Sequence, residues 1–183
     1  MTQPTPYASY LRSSTLHTLQ KCLTPMEGEL SFLMVSQVQE LYFSLIGQEL
    51  ATTTDHLKNR AVEPATAALQ RVTGHFKALN ASWESLSWMR ATDFLPIKDA
   101  LSKQLGKSSS VQSWKYRTLV YRLGLKTAPL ADAVKSMPEQ HGELVAVLHS
   151  PSVYDEALAV LRERGLPVPP DVLDRDLSLV HDP

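Results

Sequence analysis

The chain has 183 residues, 43% hydrophobic and 20% charged, enough for one domain with a buried core and too apolar for an intrinsically disordered one. Its 18 Lys and Arg against 19 Asp and Glu leave a net charge of −1, which argues against the basic excess of a nucleic-acid or membrane-surface binder. The single cysteine, Cys22, excludes a disulfide framework within the chain, suits a reducing cytoplasm and reads as a small buried hydrophobe.

No basic region followed by an apolar run marks a signal peptide at the N-terminus, and no run of 18 apolar residues marks a membrane span. Residues 1–6 carry two prolines and read as a loose arm. Tyr7 and Tyr10 then share one face of a helical turn, and Ser13, Ser14 or Thr15 is placed to cap a short helix running to Cys22. Pro25 precedes the longest helical pattern, about Glu27 to Asn59, with Thr24 and Glu27 at the spacing of a capping box. At 1.5 Å per residue this helix is roughly 50 Å long. Leu30, Leu33, Met34, Val38, Leu41, Leu45 and Ile46 form one apolar stripe on it, and Phe32, Val35, Ser36, Gln39 and Phe43 a second, mixed one. Apolar character on two sides predicts burial by several neighbouring helices. The polar run Ser36, Gln37, Gln39 and Glu40 is either a hydrogen-bonded patch between helices or the polar spot of a binding pocket.

A third helix is predicted from Pro64 in its first turn to about Met89, lying antiparallel to the long one. Thr92 or Asp93 caps the next, which tolerates Pro96 near its start and puts Phe94, Ile97, Lys98 and Leu101 on one face. Gly106 to Ser110 is a polar loop, and Val111 to Leu123 is a helix stopped by Gly124. Short helices separated by prolines follow: Pro129 to Ser136, Pro138 to Leu148, Pro151 to Arg164, and a turn after Pro169 and Pro170, with residues 177–183 as a tail. Nothing alternates at period two, so the expected fold is all-α: a helical bundle around one long central helix, with a group of short C-terminal helices, forming a single domain over 1–183.

Chemical motifs do not extend this. The six histidines (His17, His56, His75, His141, His149 and His181) show no ligand spacing, and there is neither a glycine-rich phosphate loop nor a Gly-x-Ser-x-Gly elbow.

Several segments in order do resemble one family. Glu29, Phe32, Ser36-Gln37 and Glu40-Leu41-Tyr42 are similar to the pocket helix of the tryptophan 2,3-dioxygenases, which reads Glu, apolar, Phe, three residues, His-Gln, then Glu-Leu-Trp. Tyr7 to Leu11 resembles that family's N-terminal segment, Asp93 to Lys98 its substrate-facing segment, and Ser108 to Arg117 its Ser-Ser-Gly-Phe-Gln-Ser-x-Gln-Tyr-Arg run. Leu148 to Glu156 and Arg175-Asp176 resemble later motifs. The resemblance implies a pocket for tryptophan or a related aromatic amino acid or derivative, lined by Tyr7, Tyr10, Leu11, Phe32, Ser36, Phe94 and Lys98. Tyr7, Tyr10 and Leu11 would come from a neighbouring subunit, so a homo-oligomer is implied.

Three positions depart from the family. Ser36 stands where a histidine acts over the haem and takes the catalytic place by position. Phe94 and Lys98 stand for a tyrosine and for the arginine that grips the substrate carboxylate. Haem is the implied cofactor, but the histidine that ligates its iron has no counterpart, the family continuing beyond the position of Pro183; His149 and His181 are the substitutes to consider. The expected function is therefore a shortened, diverged member, a cytoplasmic tailoring enzyme of specialised metabolism, rather than a standard ring-opening oxidoreductase. The alternatives are a non-catalytic binding or assembly subunit beside a separate haem-carrying chain, and a haem dioxygenase with a displaced iron ligand.

Overall fold

The computed structural model describes residues 5–105 and 113–179, and every regular element among them is helical. In chain order these are α1 (Pro6–Leu11), α2 (Ser13–Leu16), α3 (Glu27–Lys58), α4 (Val62–Ser82), a 3₁₀ turn (Trp83–Leu86), α5 (Ala91–Leu105), α6 (Trp114–Arg122), α7 (Ala128–Asp132), α8 (Pro138–Leu148), α9 (Val153–Glu163) and α10 (Pro170–Leu173). The all-α expectation and the long central helix are confirmed. The 106–110 loop, Val111, Gln112 and His181 lie outside the described residues. The chain divides into two compact units, Met1–Val38 with Ser82–Ser108 and Gln39–Ala81 with Ser109–Pro183, and α3 contributes to both.

Local chemistry places most boundaries. In the first unit, Thr5 caps α1 by accepting from the Ala8 N–H at 3.2 Å, with Pro6 at its first position, so the arm is shorter than expected. The helix expected to reach Cys22 stops at Leu16, where the Thr18 hydroxyl and the Gln20 amide take up the Thr15 and Leu16 carbonyls. Cys22 is exposed in the connection to α3, correcting the expectation of a buried thiol. Thr24 does not pair with Glu27. Glu29, one turn further, is buried and accepts from the Leu23 and Thr24 N–H groups, both at 2.6 Å, and from the Thr24 hydroxyl. Burial alone would raise the Glu29 carboxyl, but these donors hold it below its ordinary value. Packing is close at Gly28: a Cβ there would sit 3.1 Å from the tip of the Met89 side chain and 3.2 Å from the Trp88 ring, so those side chains would have to shift by a few tenths of an ångström.

The α4 helix ends at Ser82, short of the expected Met89. Serines divert its last turns: Ser85 donates to the Ser82 carbonyl, and the Trp88 indole donates to that of Ser85. Asp93 does not cap α5 but reaches back to the Arg90 N–H at 3.1 Å, and Pro96 lies inside that helix.

In the second unit α3 and α4 form an antiparallel hairpin: Tyr42 packs on His75, and Glu49 pairs with Arg71 at 2.8 Å. Its turn holds Arg60 at φ +61, and Arg60 ion-pairs with Glu163. Ile46, Leu50 and Leu57 of α3 join Ala65, Val72 and Leu79 of α4, Leu119 of α6, and Val153 and Val160 of α9 in one core. A second cluster gathers Tyr121, Ala131, Val134, Leu144 and Leu148, so α6 serves both. Helix α6 begins at Trp114, capped by Ser113, later than the expected Val111.

Gly124 ends α6 at φ +97, where its N–H reaches the Tyr121 carbonyl and the Leu125 N–H that of Val120, a Schellman arrangement. A Cβ at Gly124 would also lie 3.1 Å from the Ser152 hydroxyl. Gly124→Ala should therefore destabilise the chain by about 1–2 kcal/mol, read as a lower urea midpoint with unchanged m-value; an unaltered midpoint refutes the assignment.

The most apolar stretch, Pro138–Glu163, reaches a mean hydropathy of 1.3 over 18 residues. It is broken between α8 and α9, helices of 11 residues each. At 1.5 Å per residue each is roughly 16 Å long, about half a bilayer core.

The orientation of α3 differs from expectation. Leu30, Met34, Val38, Leu41 and Leu45 are all exposed, Leu41 at 63%, whereas Gln39, Ile46 and Leu50 are buried. The mixed stripe faces inward, and the apolar stripe around Leu30 to Leu45 is left uncovered. Of that stripe Ile46 alone is fully buried, because its position continues the inward face of Phe32, Gln39 and Phe43.

Candidate functional site

The site implied by the sequence falls in the first unit for Phe32, Ser36, Phe94 and Lys98. Phe32 on α3 and Phe94 on α5 are half-buried, and their rings meet at 5.4 Å between centroids with planes tilted by 55°, a favourable aromatic pairing. These two expected residues are brought together directly. Ser36, one turn beyond Phe32, donates its hydroxyl to the Phe32 carbonyl at 2.8 Å. Its proton is thus engaged within α3, and what remains for a ligand is an acceptor. Lys98, one turn beyond Phe94, is exposed, and no hydrogen bond or ion pair involves it among the described residues. Ile97 beside it is fully buried and anchors α5.

Tyr7, Tyr10 and Leu11 stand apart from this aromatic pair. Tyr7 is 72% exposed and Tyr10 87%, and no ring contact links either to Phe32 or Phe94. The α1 segment is built and capped, and its aromatic face is open.

The polar run on α3 is largely consumed within the chain. Gln37 accepts from the Gln20 amide at 2.7 Å and donates to the Leu19 carbonyl at 3.2 Å, tying down the segment before α3. In the second unit Glu40 accepts from the Ser113 hydroxyl at 2.9 Å, joining the pocket-helix motif to the Ser108–Arg117 motif. Phe43 and Tyr116 reinforce that junction, edge to face at 5.3 Å.

The later motifs are also structural in their contacts. Ser152 and Asp155 form a complete capping box at the start of α9, and Arg175 ion-pairs with Asp155. Arg175-Asp176, the shortest of the matching segments, thereby acquires a direct physical partner. Burial alone would raise the Asp155 carboxyl, but the Ser152 hydroxyl and N–H and the Arg175 guanidinium hold it below its ordinary value. Lys126 is buried nearby, donating to the Ser150 carbonyl, and burial pushes its ammonium down.

Sequence reasoning missed one face of α6. Trp114, Thr118 and Arg122, four residues apart, line a groove of about 750 Å³ with residues of α3 and α8. Their i, i+4, i+8 spacing is the signal that could have found it.

Residues 1–135 match the family described as tryptophan 2,3-dioxygenase. The tryptophan 2,3-dioxygenase of Bacillus cereus is 34% identical over 176 residues, covering 96% of this chain and 62% of its own length. That of Caulobacter vibrioides is 37% identical over 183 residues, covering 100% of this chain and 68% of its own. That of Shewanella woodyi is 33% identical over 172 residues, covering 94% and 59%.

The chain belongs to the tryptophan 2,3-dioxygenase family.

It spans about 62% of the length of the Bacillus relative. The haem that the tryptophan 2,3-dioxygenase resemblance implies needs an axial ligand. His17, the one described histidine in the unit of Phe32 and Phe94, is exposed in the turn after α2. Ser36, which the sequence resemblance would set above the haem, has its hydroxyl bonded to its own helix. The donor set beside the aromatic pair does not fit an axial ligand to haem iron.

Proposed function

We propose that this chain supplies the substrate-recognition part of a tryptophan 2,3-dioxygenase-like site, binding tryptophan or a related aromatic amino acid or derivative, in a tailoring role within the cytoplasm. The observation that carries this reading is the Phe32–Phe94 ring pair on two helices, with Ser36 and Lys98 each one turn further along. The ring faces suit an indole or phenyl group, Lys98 suits its carboxylate, and Ser36 retains an acceptor for a ring N–H. Recognition of the ligand rests on the chain's own residues: the aromatic pair orients the ring and the lysine fixes the amino-acid end. Calorimetric titration with tryptophan, indole and kynurenine tests it. Tryptophan should bind and indole, lacking the carboxylate, should bind more weakly; equal affinity for the two removes Lys98 from the site.

The uncovered stripe on α3 favours a second reading, a binding or assembly subunit that works beside a haem-carrying chain. A neighbouring reading frame resembling the rest of the relatives would support that reading. A Soret band from this chain alone, after expression with haem supplied, would support the dioxygenase with a displaced ligand.

Self-association belongs to the first reading. In the first unit, α1 and the start of the stripe on α3 leave Tyr7, Tyr10, Leu30, Met34 and Val38 exposed to solvent. Each large apolar side chain covered contributes about 1.5–3 kcal/mol, so a dimer or larger homo-oligomer is expected at micromolar concentration. Light scattering that returns a monomer mass refutes it.

A further inference from the structure

The groove between α3, α6 and α8 lies wholly within the second unit, and its lining combines two features. Its walls are apolar, with Phe43, Trp114 and Val147 among them; its charged groups are Lys115, Arg122 and Glu143. Lys115 is already engaged, its ammonium lying 3.9 Å from the centroid of the Trp114 ring. Arg122 is different. Its Nε is buried without a hydrogen-bond partner, and the guanidinium makes no hydrogen bond or ion pair among the described residues. Burial pushes it below its ordinary value, and the attraction of Asp55 only partly offsets this. A guanidinium partly withdrawn from water, with Asp55 acting on it but not ion-paired to it, is under-compensated, and an incoming carboxylate would relieve that with a forked pair of hydrogen bonds.

We propose that this groove binds a small organic monocarboxylate with an apolar body, its carboxylate on Arg122 and its body against Phe43 and Trp114. Three considerations set the class. The groove, about 750 Å³, falls in the range of pockets for small ligands, about 300–1,000 Å³. Its lining carries two cations and one acid, which matches one negative charge and opposes a polyanion. The aromatic and aliphatic walls need an apolar group to displace water from them.

The test is calorimetric titration of the full chain with 3-phenylpropionate and octanoate, beside the uncharged 3-phenylpropanol and octanol. The carboxylates should bind at least tenfold tighter than the alcohols. Arg122→Gln and Arg122→Leu should each weaken carboxylate binding at least tenfold and leave the alcohols unchanged. Arg122→Leu should keep or raise the thermal midpoint, since it removes an unpaired, partly buried cation. Lys98→Ala, in the other unit, should leave this binding intact; that separates failure of this site from failure of the aromatic amino-acid site. Equal binding of acids and alcohols, indifference to both Arg122 variants, or a lowered midpoint for Arg122→Leu would each overturn the proposal. So would loss of carboxylate binding in Lys98→Ala. Absence of carboxylate binding, together with loss of self-association in Arg122→Leu, assigns the groove to a second chain instead and also overturns it.

Discussion

Asp155→Asn is expected to cost about 3–5 kcal/mol, the usual result of removing one partner from a buried ion pair, and a large part of the 5–15 kcal/mol by which a domain is ordinarily stable. Asp155 and Arg175 are both nearly enclosed, with side-chain exposures of 9% and 12%. The carboxylate also accepts from the Ser152 N–H at 2.8 Å and its hydroxyl at 2.7 Å. Asparagine keeps the volume and removes the charge, leaving Arg175 without its ion-pair partner and the buried Lys126 without the stronger of the two carboxylates that act on it, Asp176 remaining. Arg175→Met should cost less, because Asp155 keeps both Ser152 bonds and the nearby ammonium. Urea unfolding of the two variants reads the ranking, and an Asp155→Asn variant within 1 kcal/mol of wild type sinks it.

The same carboxylate sets an acid limb. Asp155 and Glu29 both titrate below their ordinary values in the folded chain. Each therefore contributes stability that is fully present above the unfolded carboxyl range, about pH 4, and is lost as pH falls through the lower folded value. The wild-type midpoint should drop below about pH 4, with a shallower drop in Asp155→Asn. A wild-type midpoint flat between pH 5 and pH 2.5 would contradict the assignment.

The extent of α3 was legible because 32 residues without proline at helical period leave little alternative. Which side faces inward was not. The Leu30–Leu45 stripe is the more apolar, and a rule that buries the most apolar face chooses it. The chain instead buries Gln39, Ile46 and Leu50 and half-buries Phe32, because the partners available to α3 within the chain include Phe94 and the α4 face of Val72 and Leu79. Gln39 is tolerable there only because a buried amide with partners costs little. Helix ends were missed where side chains replaced the backbone as partners: Gln20 after α2, Ser85 after α4, and Glu29 rather than Glu27 before α3. Of the candidate site, the Phe32–Phe94 contact was legible through motif order. The hydrogen bond that occupies Ser36 was not, since a serine mid-helix either turns to solvent or bonds back to its own helix, and spacing alone does not decide. The Arg122 groove needs three helices distant in sequence, so periodicity on α6 showed a face without showing what it faces.

Lys98→Ala should weaken tryptophan binding by about 10- to 100-fold, and Ser36→Ala by less than about fivefold. A charge-assisted hydrogen bond contributes about 1.5–3 kcal/mol and a neutral one about 1, and each 1.4 kcal/mol is tenfold. The structure sharpens this ranking at both ends. The Ser36 hydroxyl already donates to the Phe32 carbonyl, so removing it costs a ligand only an acceptor. Lys98 is exposed and has no partner to give up among the described residues, so its full donor capacity is free for a carboxylate. The same exposure sets a limit. In open water the pair is screened and falls toward the lower figure, so raising ionic strength from 0.05 to 0.5 M, tenfold, should weaken wild-type binding and leave Lys98→Ala unmoved. Phe32→Leu tests the other half of the site, since it keeps apolar volume but loses the ring that meets Phe94 at 5.4 Å; affinity for indole and tryptophan should fall together. If Lys98→Ala binds tryptophan as tightly as wild type at low salt, the carboxylate lies elsewhere, and the site carried over by motif falls with it.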